Sequence, residues 1–156
     1  MELADIDEAA AIVRANYTEE WETSAKAELA GMFSNAPIRP TYLVAEDEGR
    51  IEGFAGFTQS WMDYGVYEVF WVNVLPDAQG TGIGTALVAR VLEDIAAESP
   101  EAIVLLTATE KNARYYAKHF GFKELAASEG FPYQLMSLRL AGREVAGKPV
   151  QDLRAS

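Results

Sequence analysis

The stretch Gln79-Gly80-Thr81-Gly82-Ile83-Gly84-Thr85 sets three glycines between a β-branched, aromatic run closing at Pro76 and an apolar helical stripe. Glycine takes positive φ without steric cost and lets a ligand approach the backbone closely. The first amides of a helix have no intrahelical acceptor, and the helix dipole adds to their positive character. A glycine loop feeding a helix is therefore suited to phosphate oxygens. Several ligand classes use that chemistry. A Walker A loop ends in Gly-Lys-Ser/Thr, whereas Gly84-Thr85-Ala86 has no lysine. A dinucleotide fingerprint wants glycine at its first, third and sixth positions, and counting from Gly80 the sixth is Thr85. That fingerprint also follows the first strand of its domain, and this loop falls mid-chain. A glycine turn without a ligand is the plain alternative.

The longer run Val74-x-Pro76-x-x-Gln79-Gly80-x-Gly82-Ile83-Gly84-x-x-Leu87 resembles the pyrophosphate loop of the GNAT superfamily of N-acyltransferases, Gln/Arg-x-x-Gly-x-Gly/Ala. The resemblance spans roughly residues 5 to 140 and implies acetyl-CoA as cosubstrate. It implies one α/β (α+β) domain, a mixed and mainly antiparallel sheet flanked by helices. The strand before the loop is expected to splay from its neighbour, Ala102 to Leu106, and the pantetheine arm to lie in the wedge. The backbone of Val72 and Val74 would then pair with the pantetheine amides as a further strand would. The amides of Gln79, Gly80, Thr81, Gly82, Ile83, Gly84 and Thr85 would hold the pyrophosphate. Downstream, Asn112-Ala113-Arg114-Tyr115-Tyr116-Ala117-Lys118-His119-Phe120-Gly121-Phe122 is similar to the family's Asn followed by Phe-Tyr-x-Lys-x-Gly-Phe, which assigns Asn112 to the cofactor. Here one extra residue precedes Gly121, and Asn112 stands closer to the tyrosine than usual. The family also opens with a strand, for which only Glu2 to Ala4 is available, so that sheet edge is expected to be short or missing.

Moving an acetyl group from a thioester to an amine requires a neutral amine and a proton for the departing thiolate. A lysine-like amine has a pKa near 10.4, so its deprotonation at pH 7 costs roughly 4 to 5 kcal/mol. Glu68, eleven residues before Gln79, is the candidate base, at a position resembling that of the general-base glutamate of histone-acetyltransferase members. Its neighbours Tyr67, Val69, Phe70 and Trp71 predict an apolar setting that raises a carboxyl pKa. The alternative is a solvated charge at a strand start. Tyr116 is the candidate acid and Tyr115 the second choice, or else an aromatic packed under the sheet. His119, the single histidine, reads as a surface residue. The chain has no cysteine, which excludes an acyl-cysteine intermediate and leaves direct transfer in a ternary complex. One histidine and no thiolate also point away from a metal. A non-catalytic acyl-CoA sensor with the same loop is the alternative function. Trp21, Phe33, Trp61, Met62 and Tyr64 are candidates for an acceptor pocket or for ordinary core, with Asp63 placed to attract a cation.

The elements that must position these groups follow from periodicity. Ala9, Ile12 and Val13 share one face of a helix capped by Asp5 or Asp7, and a second helix is expected over Glu19 to Phe33. Strands are expected over Tyr42 to Ala45, Ile51 to Trp61 and Val66 to Leu75, the first two joined by the charged turn Glu46 to Arg50. Gly53 and Gly56 mark a bulge in the second. The stripe Ile83, Leu87, Val91 and Ile95 predicts a helix to about Glu98. The continuous apolar run Ala102 to Leu106 predicts a strand covered on both faces. A short helix over Lys111 to His119 and strands over Phe122 to Ala126 and Tyr133 to Leu140 complete a domain of residues 1–140, with a polar tail over 141–156.

Composition limits the partners. Thirteen basic against twenty-four acidic residues give a net charge of −11 with no basic run, which argues against nucleic acid and suits a cationic small-molecule or peptide amine. No apolar run approaches the twenty residues a bilayer needs, and the acidic start lacks a signal-peptide pattern. With no cysteine, the expectation is a cytoplasmic protein. The resemblance allows a homodimer through the last strands.

Overall fold

The computed structural model describes residues 1–127, 130, 132–141 and 153–154. Helices α1 (Ile6–Asn16) and α2 (Glu19–Ala30) are followed by strands β1 (Thr41–Asp47), β2 (Arg50–Gln59) and β3 (Val66–Val74). Helix α3 (Ile83–Glu98), β4 (Ile103–Ala108), α4 (Glu110–Phe120), β5 (Lys123–Ala127), β6 (Gln134–Arg139) and β7 (Leu153–Arg154) complete the order. The sheet runs β5-β6-β4-β3-β2-β1-β7, with β3–β4 parallel and the other pairings antiparallel. The expected mixed, mainly antiparallel sheet is therefore present.

Alternation along the strands divides the core into two layers. Leu43, Ala45, Ala55 and Phe57 point to one face, where they meet the α3 stripe Leu87, Val91 and Ile95 and the inner face of α4. Tyr42, Val44 and Phe54 point to the other face and pack on Ala9, Ile12 and Val13 of α1 and on Leu29 of α2. The helices thus clamp the sheet from both sides, and the wall of any cleft between strands is held from both sides too.

Several sequence expectations need correction. The second helix stops at Ala30, and Gly31–Phe33 tightens into a 3₁₀ turn. The opening strand is missing, as expected, and Leu3–Asp5 forms a 3₁₀ turn in its place. The outer edge of β1 is instead paired by β7, with Val44 opposite Arg154 and Ala45 opposite Leu153. The rest of the expected tail, 142–152 and 155–156, lies outside the described residues. Strand β4 is not covered on both faces: Val104, Leu106 and Ala108 are buried, whereas Ile103 and Thr107 are exposed. A run of apolar side chains does not by itself say that each is covered.

Gly53 and Gly56 flank bulges but mainly create space. A Cβ on Gly56 would lie 2.5 Å from Cε1 of Tyr42 and 2.6 Å from Cε2 of Phe70. Those two rings pack edge-to-face, 5.8 Å apart, directly over the glycine. Gly56→Ala is expected to lower stability by about 1–3 kcal/mol by forcing both rings aside. Urea unfolding followed by tryptophan fluorescence measures it, and a change below about 0.5 kcal/mol would show that the rings are not confined.

Candidate active site

Strands β3 and β4 pair only through Val66–Ile103, Tyr67–Val104 and Glu68–Leu105. Beyond Glu68 they diverge, while β4 continues along β6 as far as Ala108. The cause is local to β3. Phe54 of β2 faces Asn73 and Gly56 faces Phe70, so three steps of β3 oppose two of β2. Trp71 stands in this bulge with φ 51°, a left-handed conformation that costs a non-glycine residue about 1–3 kcal/mol. The bulge inverts the strand's phase. Tyr67 and Val69 face the α3 layer, Phe70 and Trp71 both turn toward α1 and α2, and Val72 and Val74 return to the α3 layer. Trp71 is held in place by its indole N–H, which donates to the Glu28 carboxylate, and by Trp21, whose ring meets it edge-on at 6.0 Å.

After β3, Pro76–Ala78 makes a 3₁₀ turn, and the Thr81 hydroxyl donates to the Ala78 carbonyl at 2.7 Å. Gly80 (φ 82°) and Gly82 (φ 101°) then turn the chain into α3, with Gly82 as the cap. The first bond of the helix runs from the Ala86 amide to the Gly82 carbonyl, 3.0 Å. The amides of Ile83, Gly84 and Thr85 precede it and so lack an intrahelical acceptor. Gly84 has neither a positive φ nor a tight neighbour, since a Cβ there would meet only Val74 Cγ2 at 3.6 Å. Its missing side chain leaves the face in front of the helix start open.

The divergence encloses a cavity of about 540 Å³. Of the residues singled out from sequence, Val72, Val74, Gln79, Gly80, Gly82, Gly84, Thr85 and Asn112 line it, and so do both Tyr115 and Tyr116. Thr81 and Ile83 do not. Thr81 is exposed and tied to Ala78, and Ile83 turns inward against the core beside Gly53.

Three lining residues had no sequence signal: Asn16, Tyr17 and Asn73. The Asn16 amide donates to the side-chain oxygen of buried Asn73 (3.1 Å) and to the Val74 carbonyl (3.0 Å), and its own oxygen accepts from Gln79 (3.0 Å). Gln79 donates to the Val74 carbonyl as well, at 3.1 Å. This clasp ties the end of α1 to the loop and the end of β3. It also engages both lone pairs of the carbonyl through which pantetheine pairing was expected, so an incoming N–H must displace one of the two side chains.

The two tyrosines pack edge-to-face, 5.4 Å apart, but differ in their partners. The Tyr115 hydroxyl is hydrogen-bonded to Thr85 Oγ1 at 2.6 Å, beside the helix start. Tyr116 is buried and interacts electrostatically with Tyr17, at the turn after α1. Burial first, then Tyr115 and Tyr17, pushes the Tyr116 phenol well above its ordinary value near 10, so it keeps its proton throughout the neutral range. His119 is exposed and stacks on the Tyr115 ring at 4.6 Å, outside the cavity lining.

Glu68 departs from expectation. Tyr67 and Val69 point away from it to the α3 layer, and Phe70 shares its face without enclosing it, so the carboxylate is exposed and lines a second cavity on the other face of β3. Of the aromatic candidates, only Trp61 lines that cavity. Trp21, Phe33, Met62 and Tyr64 are exposed outside it, as is Asp63, which receives the Gly65 amide in a turn.

A model of the acetyltransferase (GNAT) family matches residues 6–122. The chain belongs to that family. It is 37% identical over 82 residues to a mycothiol acetyltransferase of Streptomyces griseus, a match covering 52% of this chain and 26% of the relative. The chain thus spans about a quarter of that curated relative. An aminoglycoside 6'-N-acetyltransferase complexed with coenzyme A superposes with a TM-score of 0.73 at 17% identity, covering 89% of this chain and 92% of the other. An N-acetyltransferase (PaiA) of Thermoplasma acidophilum, also in complex with coenzyme A, gives 0.68 at 16% identity, covering 89% and 95%. At such identities the likeness is one of fold.

The loop geometry separates the glycines. Gly82→Ala is expected to cost about 1–2 kcal/mol, because an L residue must then hold a left-handed conformation. Gly84→Ala is expected to leave thermal stability unchanged or slightly raised, since alanine suits a helix. Melting curves that ranked the two in reverse order would contradict these roles.

Proposed function

We propose that this chain is an acetyl-CoA-dependent N-acetyltransferase that passes the acetyl group directly to a primary amine of a small molecule or peptide in a ternary complex. The observation that carries it is one cavity lined by the glycine loop at the start of α3, by the unpaired reach of β3 and by a protonated tyrosine. The amides of Ile83, Gly84 and Thr85 suit the pyrophosphate. Val72 and Val74 suit the pantetheine amides, which compete with Asn16 and Gln79 for the Val74 carbonyl. Acetyl-CoA supplies the activated acetyl group as a thioester.

The proton movements fall to the chain. Glu68 takes the proton of the acceptor ammonium through water, which frees the nitrogen lone pair. As the nitrogen–carbon bond forms and the carbon–sulfur bond breaks, Tyr116 gives its proton to the sulfur, and the proton shed by the bonded nitrogen returns through water to the phenolate. Tyr115, held by Thr85, is the less suited of the pair because its hydroxyl is already engaged beside the phosphate end. Lack of cysteine agrees with direct transfer and with a cytoplasmic setting. Among the described residues no helix is long and apolar enough to cross a membrane.

The test is thiol release from acetyl-CoA in the presence of a panel of amines. Glu68→Gln and Tyr116→Phe should each lower kcat by about 10²-fold or more. Gly84→Ala should raise the KM for acetyl-CoA without loss of stability. Tight coenzyme A binding without release toward any amine would instead identify an acyl-CoA sensor.

A further inference from the structure

Strand β3 borders two cavities, and its bulge stands between them. Val72 and Val74 belong to the cleft described above, while Glu68 and Phe70 line a second cavity of about 370 Å³ beneath α2 and the segment around Pro40. Phe70 and Val72 flank the bulge residue Trp71 in the chain. The second cavity is thus lined by the part of β3 that precedes the bulge, and the cofactor cleft by the part that follows it.

Its walls define a chemistry. Tyr42 and Phe70, packed edge-to-face over Gly56, form an apolar side, and Trp61 contributes an exposed ring at the rim. Among the described residues, the charged ones lining it are Glu28 and Glu68, and no lysine or arginine joins them. Arg39 lies between lining residues Ile38 and Pro40 in sequence, yet its guanidinium donates to the Ser34 carbonyl at 3.2 Å. Glu28 is oriented by the indole N–H of Trp71, which uses one of several acceptor sites on the carboxylate and leaves others for a ligand. The anchor of the bulge is thus also an anionic group at the cavity wall.

We infer that the second cavity takes an aliphatic amine carrying a second positive charge, with Glu28 recognising the charge that is not acetylated. This inference rests on the N-acetyltransferase reading. Glu68 serves the reacting nitrogen, Glu28 the distal ammonium, and Phe70 and Tyr42 the methylene chain between them. An acceptor with a distal carboxylate would instead meet Glu28 with like charge.

The experiment compares 1,5-diaminopentane, pentylamine and 6-aminohexanoate as acceptors for the native protein, by thiol release from acetyl-CoA. The diamine should exceed pentylamine in kcat/KM by about tenfold or more, as one charge-assisted hydrogen bond allows, and 6-aminohexanoate should be poorest. Glu28→Gln keeps an acceptor for the Trp71 indole while removing the charge, and should bring the diamine-to-pentylamine ratio close to one. Equal use of diamine and pentylamine by the native protein, or a ratio untouched by Glu28→Gln, would overturn the inference and leave the transferase activity standing. No release with any amine, despite coenzyme A binding, would remove that activity and the inference together.

Discussion

A strand inside a sheet normally pairs its amides with two neighbours, and β3 loses one of them after Glu68. An unpaired backbone edge within a fold is unfavourable unless something occupies it. Here the gap is maintained from both sides. Strand β4 stays with β6 to Ala108, and β3 is bent by the bulge at Trp71, whose strained backbone is fixed by Glu28 and Trp21. Tyr115 and Tyr116 of α4 line the space between, so the gap is shaped by packed aromatics. A peptide-like ligand arm is what such an edge accommodates.

The electrostatics are unusual for a site proposed to bind an anion. The protein carries a net charge of −11, and among the described residues no lysine or arginine lines the cleft. On the proposed function, attraction for phosphate oxygens comes from backbone dipoles at the start of α3, directed by Gly80 and Gly82 and left uncovered by Gly84. These fixed partial charges are short-ranged. They hold a ligand that has already entered and do little to draw one in from a distance. The acidic surface acts in the opposite sense for the second substrate, favouring the approach of a cation.

Much of this was legible in the sequence because the relevant signals are local. The order of elements, the stripe on α3 and the glycine loop follow from periodicity and from residues with special backbone preferences. The bulge was not legible. Val66 to Leu75 is a nearly continuous apolar run, and nothing in it marks Trp71 as the residue where the phase inverts. That one inversion separates the residues facing the cleft from those facing the second cavity. The exposed state of Glu68 was missed for a related reason: the flanking Tyr67 and Val69 point to the opposite face of the strand. Asn16 and Asn73 lie 57 positions apart and meet only because α1 packs across the end of β3. Pairing of Leu153–Arg154 with β1 is equally non-local.

The central claim is that backbone groups of β3 and of the loop after it, rather than side-chain charges, hold coenzyme A. Amide hydrogen exchange with and without coenzyme A, resolved to single residues, tests it most directly. The account predicts that slowed exchange concentrates in Val72 and Val74 and in the amides from Gly80 to Thr85. Binding of coenzyme A that leaves those amides exchanging as in the free protein would contradict it.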